Sequence, residues 1–277
     1  GGTLPDTTTM VAPAGGDDVM LPAPNPAFRW SREPWGDALR CVALEPHAQH
    51  LFTSRQLPLP APESWASALV SLGASAHQLM RVKQVHGNTV RTLIRGHVPA
   101  DAHETRPDGD AVVSNQAGLT LAVMVADCVP LLVCDPVAGA AAAIHAGWRG
   151  TCARIAYAAI DTMVRDFGTH PADLIVAIGP SAGPQDYIVG DTLVTAFRDA
   201  GHSLSEVERW FTRSGDQLRL DLWAANTAQL LQAGVPAGRI YQSGLSTMSH
   251  PQIFDSYRID GERAGRMAGL IVVPKAN

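Results

Sequence analysis

From Trp30 onward the apolar residues fall in short runs, and most of these runs read as strands. They are "ALRCVAL", "LMRVKQVHG" continuing into "NTVRTLI", "DAVVSN", "LTLAVMVAD", "PLLVCD", "AAAAIHA", "DLIVAIG" and "GRIYQSG". Several are apolar at almost every position, which suits strands covered on both faces. Helical spacing is found in three places. "TCARIAYAAIDTMVRDFG" sets Ile155, Ala159, Met163 and Phe167 on one face, with Thr151 as N-cap and Gly168 as the stop. "DLWAANTAQLLQAG" offers Asp221 as N-cap and Gly234 as the stop, and "GERAGRMAGL" reads as a helix near the C-terminus. "QLPLPAPESW" and "GHVPADAHETRPDGD" read as surface loops. No repeat or long linker divides the chain. The pattern predicts a flexible tail over residues 1–27 and one domain over 28–277, of α/β (α+β) class, built on a layered sheet core whose strand order is not readable.

Composition narrows the partners. A formal charge of -5 and no basic run leave no electrostatic footprint for nucleic acid. No run approaches the ~18 apolar residues of a membrane span, and no charged-then-apolar leader opens the chain, so a cytoplasmic protein is expected. Four cysteines, at 41, 128, 134 and 152, form neither a disulfide framework nor a CxxC motif.

Chemistry gathers where strands are expected to end. Cys128 lies between Asp127 and Val129-Pro130, where proline interrupts a ladder. His145 closes the run "AAAAI" ahead of Gly147 and Gly150, and His86 closes another before Gly87. Separations of 42 and 17 residues are no zinc-finger spacing, yet Cys plus two His is a known catalytic zinc set with a fourth position open. The alternative is a buried thiol and two unconnected histidines, and spacing leaves both open. Cys41, Cys134 and Cys152 read as small core residues. The remaining histidines, among them His50, read as structural. Neither a P-loop nor a G-x-G-x-x-G fingerprint is present.

The words "KQVHGNTV", "DGDAVVSNQAGLTLAVMVADCVPLLVCDP", "AAAIHAGWRGT", "AIGPSAGP", "LDLWAANTAQLLQAGV" and "FDSYRIDGERAGRM" occur in this order, and together they resemble the YfiH-type laccase-domain family. That family is variously labelled multicopper polyphenol oxidase, purine nucleoside phosphorylase with adenosine deaminase activity, and peptidoglycan editing factor. The resemblance runs from about residue 40 to the C-terminus. It implies a single domain like a bacterial toxin's cysteine-hydrolase domain, acting as a monomer, with His86, Cys128 and His145 around zinc. It also implies phosphorolysis of adenosine, inosine, guanosine and methylthioadenosine, and deamination of adenosine. Purine nucleoside and phosphate would be the partners. Asp127 is the candidate acid; Lys83 and Arg149 are candidate phosphate ligands. Arg55 in "FTSR" and Arg258 in "SYRIDG" match basic residues of the family. The sequence departs from the family where Ser181, Ala182, Gln185, Asp186 and Ile188 replace its cysteines and glutamate, and where a glycine-serine loop and "SLN" word are missing.

Three other readings remain. A Cys128-His hydrolase could cut an amide on a peptidoglycan precursor. Copper oxidation fits poorly, because the imidazole-rich sites copper prefers are not foreshadowed by any H-x-H pair. A non-catalytic binding protein would not need Cys128.

Overall fold

A computed structural model describes residues 19–277. Two six-stranded mixed sheets lie face to face. The first runs β1 (Phe28–Glu33), β2 (Gly36–Cys41), β3 (His50–Phe52), β15 (Met267–Val272), β7 (Thr120–Val125), β4 (Leu79–Arg81). The second runs β14 (Ile240–Gln242), β10 (Ile175–Ile178), β8 (Val129–Asp135), β9 (Ala140–Ala146), β6 (Ala111–Ser114), β5 (Val90–Leu93). Neighbours pair antiparallel except β4 with β7, β5 with β6 and β10 with β14. A small sheet of β11 (Ile188–Val189), β13 (Gln217–Leu220) and β12 (Phe211–Ser214) stands apart.

The two-residue period of a strand distributes the apolar runs. From β7, Leu121, Val123 and Val125 enter the space between the sheets, while Ala122 and Met124 face α1 (Pro62–Ser71). From β8, Leu132 and Cys134 enter the same space, while Leu131 and Val133 face a helical layer. That layer includes α2 (Trp148–Cys152), α3 (Ile155–Phe167), α4 (Thr192–Asp199), α5 (Leu204–Trp210) and α6 (Leu222–Gln232). Each central strand is therefore covered twice, as its composition implies. No helix of the described residues is long and apolar enough to cross a membrane.

Several local expectations change. Thr151 does not cap a helix; it lies inside α2, and the chain breaks at Arg154, whose φ of 60° is left-handed, before α3 begins. Gly168 and Asp221 do the capping work expected of them. "GERAGRMAGL" is not a helix: one 3-10 turn at Gly261–Arg263 leads into β15. Its Ala, Met and Leu favour a helix locally, but an opening between β3 and β7 offers nine cross-strand partners and burial on both faces, which outweighs a few tenths of a kcal/mol of propensity. "PESW" begins α1, where Pro62 sits in the first turn and Trp65, Ala68, Leu69 and Leu72 are buried. Of the expected tail, residues 1–18 lie outside the described residues. Beyond them, Asn25 hydrogen bonds to Ser243 and Gln242, and the Trp30 indole donates to the Pro22 carbonyl at 2.8 Å.

His50 in β3 is fully buried, accepting the Cys41 N–H at 2.8 Å on Nε2 and facing the Ala48 carbonyl at 2.9 Å through Nδ1. This arrangement requires the neutral Nδ1–H tautomer. Burial outweighs the pull of that carbonyl and pushes the imidazole down to about 4. An unfolded histidine titrates near 6.5, so the unfolded chain takes up this proton first as pH falls. The group's stabilisation is complete above about pH 6.5 and is lost toward pH 4, amounting to about 3 kcal/mol. Denaturant titrations of wild type and His50→Gln at both ends of that window should show a steeper acid loss in wild type. Parallel losses would refute this.

Candidate active site

Two connections cross from the first sheet to the second, β4 to β5 and β7 to β8, and they carry His86 and Cys128 respectively. His145 is the penultimate residue of β9. The ligand atoms of the three lie within 4.8 Å of one another. The rings of His86 and His145 meet edge to face, with centroids 4.9 Å apart. Both crossings bend through left-handed backbone at a non-glycine residue, His86 at φ 61° and Asp127 at φ 87°. Such conformations persist where surroundings enforce them, and they concentrate at functional sites. Gly147 closes over the group: a Cβ there would lie 2.9 Å from the Cys128 sulfur.

What enforces His86 is a residue that sequence reading missed. Asp110, fully buried immediately before β6, accepts the N–H groups of His86 at 2.9 Å and Gly87 at 2.7 Å. Its Oδ1 also lies 2.9 Å from His145 Nδ1. One carboxylate thus sets the backbone of one histidine and the ring of the other, leaving His145 Nε2 for the sulfur side. Burial would raise the Asp110 carboxyl, but the His145 ring and the two N–H groups hold it below the usual range. Nothing local in "RPDGDAVV" separates Asp110 from Asp108, which is exposed.

Cys128 differs from the other three thiols. Burial pushes Cys41 up to about 11 and Cys134 up to about 12, and raises Cys152. Burial acts on Cys128 in the same sense, yet the charge and hydrogen bonds of His145 and His86 bring it down to about 6. His145 answers in the opposite direction: against burial, the Cys128 thiolate and Asp110 lift it to about 9. Both shifts run in the sense that favours a thiolate on Cys128 beside a protonated His145, and a thiolate is the form of cysteine that binds a metal.

The trio opens onto a cavity of about 1000 Å³. Lys83, Arg149 and Arg258, expected from the sequence, line it together with Arg106 and Arg266, which were not. Arg149 stacks over Trp148 at 4.3 Å, Arg258 over Tyr187 at 4.8 Å and Arg266 over Tyr257 at 5.9 Å. Arg55 does not reach the cavity; it bonds the Pro251 carbonyl and pairs with Asp255 at 3.7 Å. Asp127 lines the cavity, but its carboxylate accepts from Thr247 at 2.7 Å, Ser256 at 3.0 Å and the Arg258 N–H at 2.7 Å. These bonds make Asp127 a tie between the Cys128 crossing and α7 (Tyr257–Asp260), not the free acid suggested by its place beside Cys128. The unusual "GPSAGPQDYIVG" loop is also tied down, since Asp186 accepts from the hydroxyls of both Ser246 and Ser249.

A family described as multi-copper polyphenol oxidoreductase laccase matches residues 62–274. A purine nucleoside phosphorylase of Deinococcus radiodurans is 36% identical over 221 residues, covering 79% of each chain. An adenosine deaminase from an unidentified prokaryote is 36% identical over 201 residues, covering 71% of this chain and 76% of its own. The crystal structure of Bacillus licheniformis hypothetical protein YfiH superposes with a TM-score of 0.78 at 25% identity, over 88% of this chain and 98% of its own. On the family match and these likenesses, the chain belongs to the multi-copper polyphenol oxidoreductase laccase family, the YfiH-type laccase-domain proteins.

Proposed function

We propose that this protein is a zinc-dependent purine nucleoside enzyme, cytoplasmic and monomeric, which cleaves adenosine, inosine, guanosine and methylthioadenosine with phosphate and deaminates adenosine. The observation that carries this reading is a His-Cys-His cluster opening onto a cavity rich in cations, in a chain whose relatives are named for those two reactions. The donor set suits zinc: one thiolate and two imidazoles, with His145 oriented through Nδ1 by a carboxylate as metal-bound histidines commonly are. Zinc held by His86, Cys128 and His145 would supply Lewis acidity at a position open to substrate.

The chain's own residues supply the rest. Lys83, Arg149 and Arg258 hold phosphate in the cavity, the two guanidiniums through paired N–H donors. A phosphate oxygen forms the new bond to C1′ of the ribose, and the base departs with the electron pair of the broken bond and takes up a proton. Asp110 keeps both histidines in place throughout. In deamination, water adds at C6 and ammonia leaves.

Incubating zinc-loaded protein with adenosine should yield adenine and ribose 1-phosphate when phosphate is present, and inosine with or without it. A chelator should abolish both, and zinc should restore them. Inert, well-folded, zinc-loaded protein would favour the second reading, a Cys128 thiolate hydrolase acting on a peptidoglycan precursor. The lowered Cys128 thiol supports that reading, and activity would then respond to alkylation instead of chelation. Copper oxidation of polyphenols has least support, because the described residues bring together a single set of three ligands, one of them a thiolate.

A further inference from the structure

A nucleoside is uncharged, and a phosphate group near neutral pH carries about −1.5 to −2. Two or three cations would match it. The cavity presents five, Lys83, Arg106, Arg149, Arg258 and Arg266, in a chain whose formal charge is -5. Counter-charge is scarce. Asp127, the one carboxylate among the described residues that line the cavity, is turned to Thr247, Ser256 and the Arg258 N–H. Asp108 faces Lys83 alone, at 3.7 Å with both side chains exposed, a pairing too solvated to neutralise the site. Stacking on aromatic rings aligns three of the guanidiniums without consuming their charge. Arg258 spends Nη1 on the Ile188 carbonyl and Arg266 spends Nη1 on the Ala264 and Gly265 carbonyls, which fixes both and leaves their remaining N–H groups, with those of Arg149, for phosphate oxygens. Such a gathering of like charges focuses a positive potential that a second anion would relieve. The volume, about 1000 Å³, also lies at the upper end for small-molecule sites.

We propose that the cavity binds nucleoside 5′-monophosphates in preference to nucleosides, holding the ligand's own phosphate and inorganic phosphate at the same time. This rests on the nucleoside reading for base and sugar, and adds the phosphate to the substrate class. With Lys83, Arg149 and Arg258 assigned to inorganic phosphate, Arg106 and Arg266 receive the 5′-phosphate.

Isothermal titration of the zinc-loaded full chain tests this, using adenosine, adenosine 5′-monophosphate, ribose 5-phosphate and inorganic phosphate. The monophosphate is expected to bind about tenfold or more tighter than adenosine at low salt, with an advantage that shrinks as salt screens the cations. Saturating inorganic phosphate should leave it bound. Arg106→Gln, at an exposed loop position, should cut the monophosphate-to-adenosine affinity ratio about tenfold. Arg266 is half-buried and donates to the Ala264 and Gly265 carbonyls, so Arg266→Lys, which keeps the charge but not the fork, serves as the second variant. Equal affinity for adenosine and its monophosphate, a ratio unmoved in both variants, displacement by inorganic phosphate, or ribose 5-phosphate binding as tightly would each overturn the proposal. Tight monophosphate binding by a protein that turns over no nucleoside would sink the nucleoside enzyme and leave this inference standing. Adenosine turnover without monophosphate preference would do the reverse.

Discussion

On the proposed zinc-dependent nucleoside chemistry, replacing Cys128 by alanine is expected to abolish zinc binding and to lower nucleoside turnover by at least about 10³-fold, while the fold survives. The sulfur is one of three ligand atoms within 4.8 Å of one another, and alanine offers no donor in its place. Two imidazoles alone make a weak zinc site, and the Lewis acidity lost is worth several kcal/mol of barrier, each 1.36 kcal/mol being tenfold in rate. The fold should survive, because Cys128 is part-exposed at the cavity wall and His145 keeps its Asp110 partner. Cys134→Ala is the matched control. That thiol is fully buried between the sheets, so its loss should cost about 1–2 kcal/mol of stability with zinc stoichiometry unchanged. Zinc content, melting temperature and adenosine turnover measured on both variants separate the two roles. A Cys128→Ala protein that retains one zinc and full turnover would place the chemistry elsewhere.

Asp110→Asn should be nearly as damaging, through geometry. The carboxylate serves two N–H donors on the His86 turn and the His145 ring at 2.7–2.9 Å, all from a fully buried position. An amide has one acceptor oxygen for these donors, and its NH₂ would face whichever of them it abandons. Loss of such outer partners commonly lowers metal affinity 10–100-fold. Breaking a buried charged network adds a stability loss of about 3 kcal/mol. His86 stands in left-handed backbone, so a weaker hold on its N–H also frees it to leave the site. Zinc affinity by competition with a chromogenic chelator, read beside denaturant stability, tests the assignment. A destabilised variant with unaltered zinc affinity would make Asp110 a structural residue only.

Much of the core could be read from the chain because its signals are local. Strands covered on both faces are apolar at nearly every position, so β7, β8, β9 and β10 stand out by residue type alone. Where local signals were weak or pointed the wrong way, the reading failed. β15 carries helix formers but is held by partners at positions 50–52 and 120–125. The helix signal over 151–168 was sound except at Arg154, whose left-handed turn no residue preference announces. α1 reads as a loop in the sequence: the prolines before it mask a Pro62 start and the Trp65, Ala68, Leu69, Leu72 spacing of a buried helical face.

By itself, the sequence determined the covered strands and the two glycine-stopped helices, because these depend on residue type and short-range spacing; it set His86, Cys128 and His145 at the ends of apolar runs, and only the family resemblance joined them into one expected site. Tertiary structure alone decided that the two sheet crossings and the end of β9 meet at one point, that Asp110 and not Asp127 serves the histidines, and that Arg106 and Arg266 join the cavity while Arg55 does not. The physical reason is that a side chain's partners are set by strand pairing between distant segments, and neighbours in space across a sandwich leave no trace in the spacing along the chain.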